Sequence, residues 1–172
     1  MFHAFDKPAP GVPLGRPDWM ALLSRAPLPL LQHALAPHRS PGNTQWLRRP
    51  ETGLYMVQGR AGGTGARFNL GELTVTRCAL RQRHTATGTE TVGVAYVLGR
   101  HHEQAELAAL ADALLQTPTG RDALTPTLLD PVREHLARSA AERSARAQST
   151  KVDFLTVARE ASGTDELDGE DA

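Results

Sequence analysis

The chain has 172 residues, 40% of them apolar, 5% aromatic, and a formal charge of zero from nineteen acids and nineteen bases. This length fits one domain with added tails, and the balanced charge argues against a generic nucleic-acid binder, which is normally basic overall. No run of eighteen apolar residues occurs, and the start MFHAFDKPAPGVP lacks a basic segment followed by an apolar one, so neither a membrane span nor a secretory signal is expected and the cytoplasm is the default location. Seventeen of the nineteen bases are Arg, whose guanidinium pairs with carboxylates and phosphates in a fixed two-pronged geometry. The single cysteine, Cys78, excludes an internal disulfide and a cysteine metal cluster, and is expected to be a small buried residue in a strand.

Residues 1–17 hold four prolines and two glycines and read as an extended, disordered arm. Asp18 is expected to cap a helix running to Arg25, with Trp19, Leu22 and Leu23 on one face, closed by Pro27 and Pro29. A second short helix, Leu30 to Leu35, stops before Pro37, and His38 to Asn43 reads as a loop.

Strand character begins near Thr44. Alternating polarity over Thr52 to Arg60 predicts a half-buried strand, followed by the loop Gly62-Gly63-Thr64-Gly65. Leu73 to Arg81 is rich in Thr, Val and Leu and predicts the next strand. Thr85 to Glu90, with Gly88, reads as a hairpin turn before a strand over Thr91 to Leu98. Sequential strands with short connections predict an antiparallel meander.

After Gly99, residues His102 to Gln116 place Leu107, Leu110, Ala111, Leu114 and Leu115 on one helical face, closed by Pro118 and Gly120. A further helix is expected from Asp130, as N-cap before Pro131, to Gln148, with i,i+4 pairs Glu134/Arg138 and Glu142/Arg146. Its second half, SAAERSARAQ, has almost no bulky apolar residue, so it is either a solvated surface helix or an Ala-rich face that meets another chain. Val152, Phe154, Leu155 and Val157 form a last apolar patch, strand or helix, before an acidic tail (161–172) that reads as disordered. The fold expected is α+β: an antiparallel sheet of three or more strands flanked by N-terminal and C-terminal helices, over residues 18–160.

The glycine loop is the sharpest local feature. Gly62, Gly63 and Gly65 permit backbone angles closed to other residues, and such a loop can turn N–H groups toward an anion. With Thr64, Arg60, Arg67 and Arg77 it offers a candidate phosphate cradle. It is not a Walker motif, because no Gly-Lys-Ser/Thr follows, nor a dinucleotide fingerprint, because a strand and not a helix follows. The other reading of the loop is a tight connection between two antiparallel strands. His84, His101, His102 and His135 show no metal-ligand spacing, and His101-His102 reads as a surface pair at a helix start. No nucleophile is matched with a base, so the residues alone define no catalytic site, no metal and no cofactor in this chain.

Several blocks in order carry a family resemblance: ETGL (Glu51 to Leu54), GRAGGTGARFNLGELTVTR (Gly59 to Arg77), AYVLGR (Ala95 to Arg100), AELAALADALLQ (Ala105 to Gln116) and STKVDFLTVAR (Ser149 to Arg159). Together they resemble the PhnG family, the G subunit of the bacterial carbon–phosphorus lyase core complex. The resemblance implies assembly with PhnH, PhnI and PhnJ into a two-fold symmetric complex, with homodimer contacts inside it. With PhnI, PhnH and PhnL the family supports displacement of adenine from ATP by an alkylphosphonate, giving ribose 1-alkylphosphonate 5-triphosphate. ATP is then a substrate of the complex. The nucleosidase-type step is associated with PhnI and the radical cleavage with the iron–sulfur cluster of PhnJ, consistent with the lone cysteine here. Gln104 stands where the family often has His, and Cys78 where it usually has Ala, which speaks against an acid/base histidine or a catalytic thiol at those places. The resemblance implies a non-catalytic or co-catalytic subunit with more exposed apolar surface than a monomer carries. The alternative is a stand-alone phosphate- or phosphonate-binding or regulatory protein.

Overall fold

A computed structural model describes residues 14–40, 42–85 and 87–151. The expected apolar patch at Val152–Val157, the acidic tail and residues 1–13 of the arm lie outside the described residues. The architecture is α+β: helices α1 (Arg16–Leu23) and α2 (Leu28–Leu35), strands β1 (Thr44–Arg60), β2 (Arg67–Arg83) and β3 (Glu90–Leu98), then α3 (His102–Leu115), α4 (Pro118–Leu124) and α5 (Asp130–Ser149). The strands form one antiparallel sheet in the order β1-β2-β3, the meander that the short connections predict.

Both N-terminal helices start two residues earlier than expected, α1 within the stretch read as an arm. The cap of α1 is Gly15 rather than Asp18; Asp18 sits one turn in, and its Oδ2 accepts the Gly15 N–H at 2.9 Å. Pro29 lies in the first turn of α2 instead of closing α1, because a proline there sacrifices no hydrogen bond.

Helix α3 organises the core. Ten of its fourteen residues are buried, so it is enclosed all round and not on the single leucine face that periodicity marks. The leucines pack against the outer helices, while small residues let the helix lie close on the sheet. The closest approach is at Gly93 of β3, where a Cβ would stand 1.9 Å from the Ala109 carbonyl oxygen and 2.8 Å from the Ala113 nitrogen. Cys78, Leu80, Ala95 and Val97 from the sheet meet Leu31 and Leu35 of α2, Leu124, Leu128, Leu129 and Val132 in one cluster.

Pro118 and Gly120 do not simply stop a helix; they start the next. Thr117 caps α4 by accepting the Gly120 N–H at 3.1 Å, with Pro118 at the first helical position. The chain then stays helical through a π turn, Thr125–Leu129, into α5. Pro126 and Pro131 remove two N–H groups from this stretch, and the wider turn lets Asp130 N–H reach the Thr125 carbonyl. Asp130 is therefore inside a continuous helix and not its cap, and its Oδ1 accepts from Arg133 Nη1 at 3.1 Å. The Glu134/Arg138 and Glu142/Arg146 pairs are not among the ion pairs of the described residues; the pair seen on α5 is Arg133–Asp130. Residues 140–151 are exposed throughout.

No helix of the described residues is long and apolar enough to cross a membrane.

Candidate functional site

The sheet has one covered face and one bare face. Thr76, Cys78, Leu80 and Gln82 of β2 and Gly93, Ala95 and Val97 of β3 point toward the helices and are buried. The alternate residues, among them Val75, Arg77, Ala79, Val92, Tyr96 and Leu98, point away, and no element of the described chain packs on them.

β1 and β2 also outrun β3. β3 is paired with β2 from Arg83 only as far as Val75, whereas β1 and β2 stay paired out to Arg60 and Arg67. Gly99, with φ +89°, turns the chain from β3 into α3, and its N–H bonds the Thr74 carbonyl at 2.8 Å. The eight positions from Thr74 to Arg67 therefore project as a two-stranded ribbon, about 25 Å at the rise of a strand. The segment Thr52–Arg60, expected to be half-buried, is instead mostly exposed. The run Leu54-Tyr55-Met56-Val57 sets exposed apolar groups on both sides of the strand, and among the described residues nothing covers them.

At the base of the ribbon a polar lock joins β1, β2 and the start of α3. Thr76 Oγ1 donates to the Gly99 carbonyl (2.6 Å) and accepts the His101 N–H (3.0 Å), and lies 3.2 Å from Thr52 Oγ1. Thr52 Oγ1 in turn meets His102 Nε2 at 2.9 Å. His101 and His102 are exposed, at the N-cap position and the first residue of α3, as the sequence suggests. Gln104 ties α3 to the α1–α2 linker, its Nε2 donating to the Ala26 carbonyl at 3.0 Å. That is a packing role at the place where the resemblance raises a histidine.

The structure brings together most of the candidate phosphate residues. Arg60 and Arg67 are direct cross-strand partners at the tip, with Gly62, Gly63, Thr64 and Gly65 between them. Gly62 (φ +58°) and Gly63 (φ +79°) need glycine's freedom, and a Cβ on Gly65 would lie 2.7 Å from the Ala61 oxygen. The N–H groups of Thr64 and Gly65 both turn inward to the Ala61 carbonyl, and Arg60 Nη1 donates to the Gly65 carbonyl at 3.0 Å. Arg77 is elsewhere. Ten residues along β2, about 33 Å from Arg67, it donates from Nε to Glu51 Oε1 at 2.7 Å. Hydrogen bonds from Arg48 and then Arg77 hold the exposed Glu51 carboxyl below the usual carboxylate range. The contribution of this trio is present at neutral pH and fades as pH falls through that lowered value.

Cys78 is 2% exposed, the structural residue that its sequence context indicates. Burial, then the nearby Glu106 charge, push its thiol up to about 12. A thiol held protonated is a poor nucleophile. We expect a disulfide exchange reagent at pH 8 to leave the native chain unmodified and to label one thiol per chain once it is unfolded; rapid labelling of the native chain would contradict this burial. Because the folded value is raised, this group's stabilisation is complete below the ordinary thiol value of 9.0 and falls as pH rises toward about 12.

Sequence reasoning missed one internal centre. Asp112 of α3 is fully buried, and its carboxylate accepts from Arg16 Nε (3.1 Å) and Nη2 (2.8 Å), Trp19 Nε1 (2.9 Å) and the Val94 N–H (3.0 Å). The available signal was an acid on the Ala105/Ala108 face of an otherwise apolar helix. Among the described residues no group of three or more His, Cys, Asp or Glu is placed to hold a metal ion.

Fold and site together define a helix-backed antiparallel meander with a bare sheet face and a projecting glycine-tipped ribbon. The model of the family described as "Phosphonate metabolism protein PhnG" matches residues 15–160. A protein of Rhizobium meliloti (strain 1021), "Alpha-D-ribose 1-methylphosphonate 5-triphosphate synthase subunit PhnG", is 38% identical over 144 residues, covering 84% of this chain and 88% of that protein. The chain belongs to the PhnG family.

Proposed function

We propose that this chain is a subunit of the complex that activates phosphonates by displacing adenine from ATP, yielding a ribose 1-alkylphosphonate 5-triphosphate. The observation that carries the reading is the 38% identity, across most of both chains, to a protein named as a subunit of that synthase. The fold supports an embedded role: Leu54, Tyr55, Phe68, Leu70, Leu73, Tyr96 and Leu98 are all exposed. Its partners are PhnI, PhnH and PhnJ, with PhnL acting alongside and homodimer contacts within the assembly. The setting is cytoplasmic. The chain works as a structural or co-catalytic part, and ATP is a substrate of the whole complex and not a cofactor held by this chain. The test is omission. Adenine release from ATP and methylphosphonate by the remaining subunits is expected to fall to background without this chain and to return on adding it. Release that does not depend on the chain would overturn the reading.

A second reading gives the tip an anion. It is favoured by Arg60 and Arg67 standing directly opposite one another, a like-charge pairing that a bound phosphate would relieve. Gly62, Gly63, Thr64 and Gly65 would line that site, with Arg77 too distant to share it. Millimolar ATP or methylphosphonate is expected to bind the isolated chain and to lose affinity on Arg67→Ala. Absence of binding to the free chain would remove this reading for the subunit alone.

A further inference from the structure

We propose that the bare face of the sheet and ribbon is the docking surface for a different subunit of the complex, one that presents an apolar strip bordered by carboxylates. The proposal rests on the subunit reading above and specifies which surface performs it.

The strip is continuous. Leu98 and Tyr96 of β3 lead to Val75 and Leu73 of β2 and to Tyr55 of β1, which meets the Tyr96 ring edge-on at a centroid distance of 6.4 Å. Further out, strand alternation puts Val57 and Gly59 on the same side as Tyr55. Phe68 pairs with Gly59, and Leu70, beside the irregularity between Val57 and Gln58, lies over Gly59 so closely that a Cβ there would stand 2.9 Å from its Cδ1. Leu98 and Leu70 are each 63% exposed and Tyr55 56%. A connected patch of this kind marks an interaction surface, whereas scattered exposed leucines do not. A two-stranded ribbon is at best marginally stable in water, so this one needs a partner more than the body does.

Charge indicates the partner's chemistry. Between Thr44 and Leu98 the chain holds seven arginines and three glutamates, a net charge of +4 in a chain that is neutral overall. The base of the bare face carries Arg48, Arg77 and Arg81 against Glu51 and Glu90, and the tip carries Arg60 and Arg67. Two copies packed face to face with ribbons antiparallel would set the Arg60/Arg67 tip on a base whose three arginines and two glutamates sum to +1, which gives a second copy no charge complementarity. A head-to-tail self-contact would build a ring or an open filament and not a two-fold pair. Simple strand addition is also discouraged at the base of β1, where Pro50 lacks an N–H and the register breaks around Arg48 and Glu51. An acidic-rimmed apolar surface on another chain meets each of these constraints.

The experiment uses the full chain co-expressed with the other core subunits, one of which carries the affinity tag. Tyr55→Asp, Phe68→Asp and Leu73→Asp are each expected to cut recovery of this chain at least about tenfold, as for a central interface residue. Leu54→Asp, equally exposed but on the opposite side of the ribbon, should change recovery less than about twofold. Backbone amide exchange of the unmodified chain provides the measurement that needs no variant. Amides of 53–60 and 67–74 should exchange rapidly in the isolated chain and at least about tenfold more slowly in the complex. Unchanged recovery of all three face variants, or unprotected ribbon amides in the complex, overturns the proposal while leaving the subunit reading intact. So does an isolated chain that is a dimer until Tyr55→Asp dissociates it, because a second copy then occupies the face. Ribbon amides already protected in an isolated monomer would assign the face to this chain's own remaining segments and overturn it equally. If the unmodified chain is not recovered at all, the subunit reading falls, and this proposal with it.

Discussion

Asp112→Ala is expected to destabilise the chain by roughly 3–5 kcal/mol, the range for breaking a buried, hydrogen-bonded charge pair. The carboxylate joins three elements: Arg16 and Trp19 from α1, Val94 from β3, and α3 itself. Its removal orphans the Trp19 indole N–H and the Val94 N–H, at about 1–3 kcal/mol for each buried donor left unpaired. Arg16 contributes less to the loss because its side chain is 43% exposed and can turn to water, while Asp112 is wholly enclosed. Thermal unfolding should drop by on the order of 10 °C for a chain of this size. Trp19→Phe keeps the ring and deletes one donor, so it should cost about 1 kcal/mol. A change of less than about 2 °C for Asp112→Ala would show that the carboxylate does not hold α1 to the core.

Gly93→Ala is the second large effect. The added Cβ would lie 1.9 Å from the Ala109 carbonyl oxygen, 2.8 Å from the Ala113 nitrogen and 2.9 Å from the Ala113 Cβ. Two of these are helix backbone atoms, so relief requires β3 and α3 to separate along their whole contact. Overpacking of a core costs typically 1–3 kcal/mol, and this case should reach about 3 kcal/mol or more. Urea unfolding is the measure: the midpoint should fall with the slope unchanged. Gly53→Ala is the control, because a Cβ there meets nothing within 4 Å. Equal midpoints for the two variants would contradict the close packing of α3 on β3.

These two residues also mark where the sequence was legible and where it was not. The meander was readable because Gly62–Gly65 and Gly88 punctuate three stretches of strand-forming residues. The exposed second half of α5 was readable because SAAERSARAQ offers little to bury. Cys78 was readable as a core residue from its neighbours. The start of α1, and the passage through Pro118, Pro126 and Pro131, were not. Proline is compatible with a helix's first turn or with a widened turn as well as with a helix end, and only the surrounding packing decides. The all-round burial of α3 escaped for a related reason: alanine carries little hydrophobic signal, yet its small size is what lets the helix sit on Gly93. Asp112 escaped because its partners lie 93 and 96 positions away at Trp19 and Arg16, and no local pattern links them.

The candidate site was legible in its tip and not in its extent. The glycines and the Arg60/Arg67 pair can be found by eye. Arg77 belongs with them in sequence, but an extended strand carries it to the base of the ribbon. The alternation expected in Thr52–Arg60 did not hold as half-burial: Leu54 and Met56 are exposed on one side and Tyr55 on the other. Whether either side is covered by this chain or by another is a property of the assembly.

The central claim, that this PhnG-family chain is a built-in part of a phosphonate-activating complex, is tested most directly by native mass spectrometry of the chain co-expressed with PhnI, PhnH and PhnJ. The account predicts one assembly containing all four chains at fixed stoichiometry, with little free chain. The other three assembling without it, while this chain remains a free monomer, would contradict it.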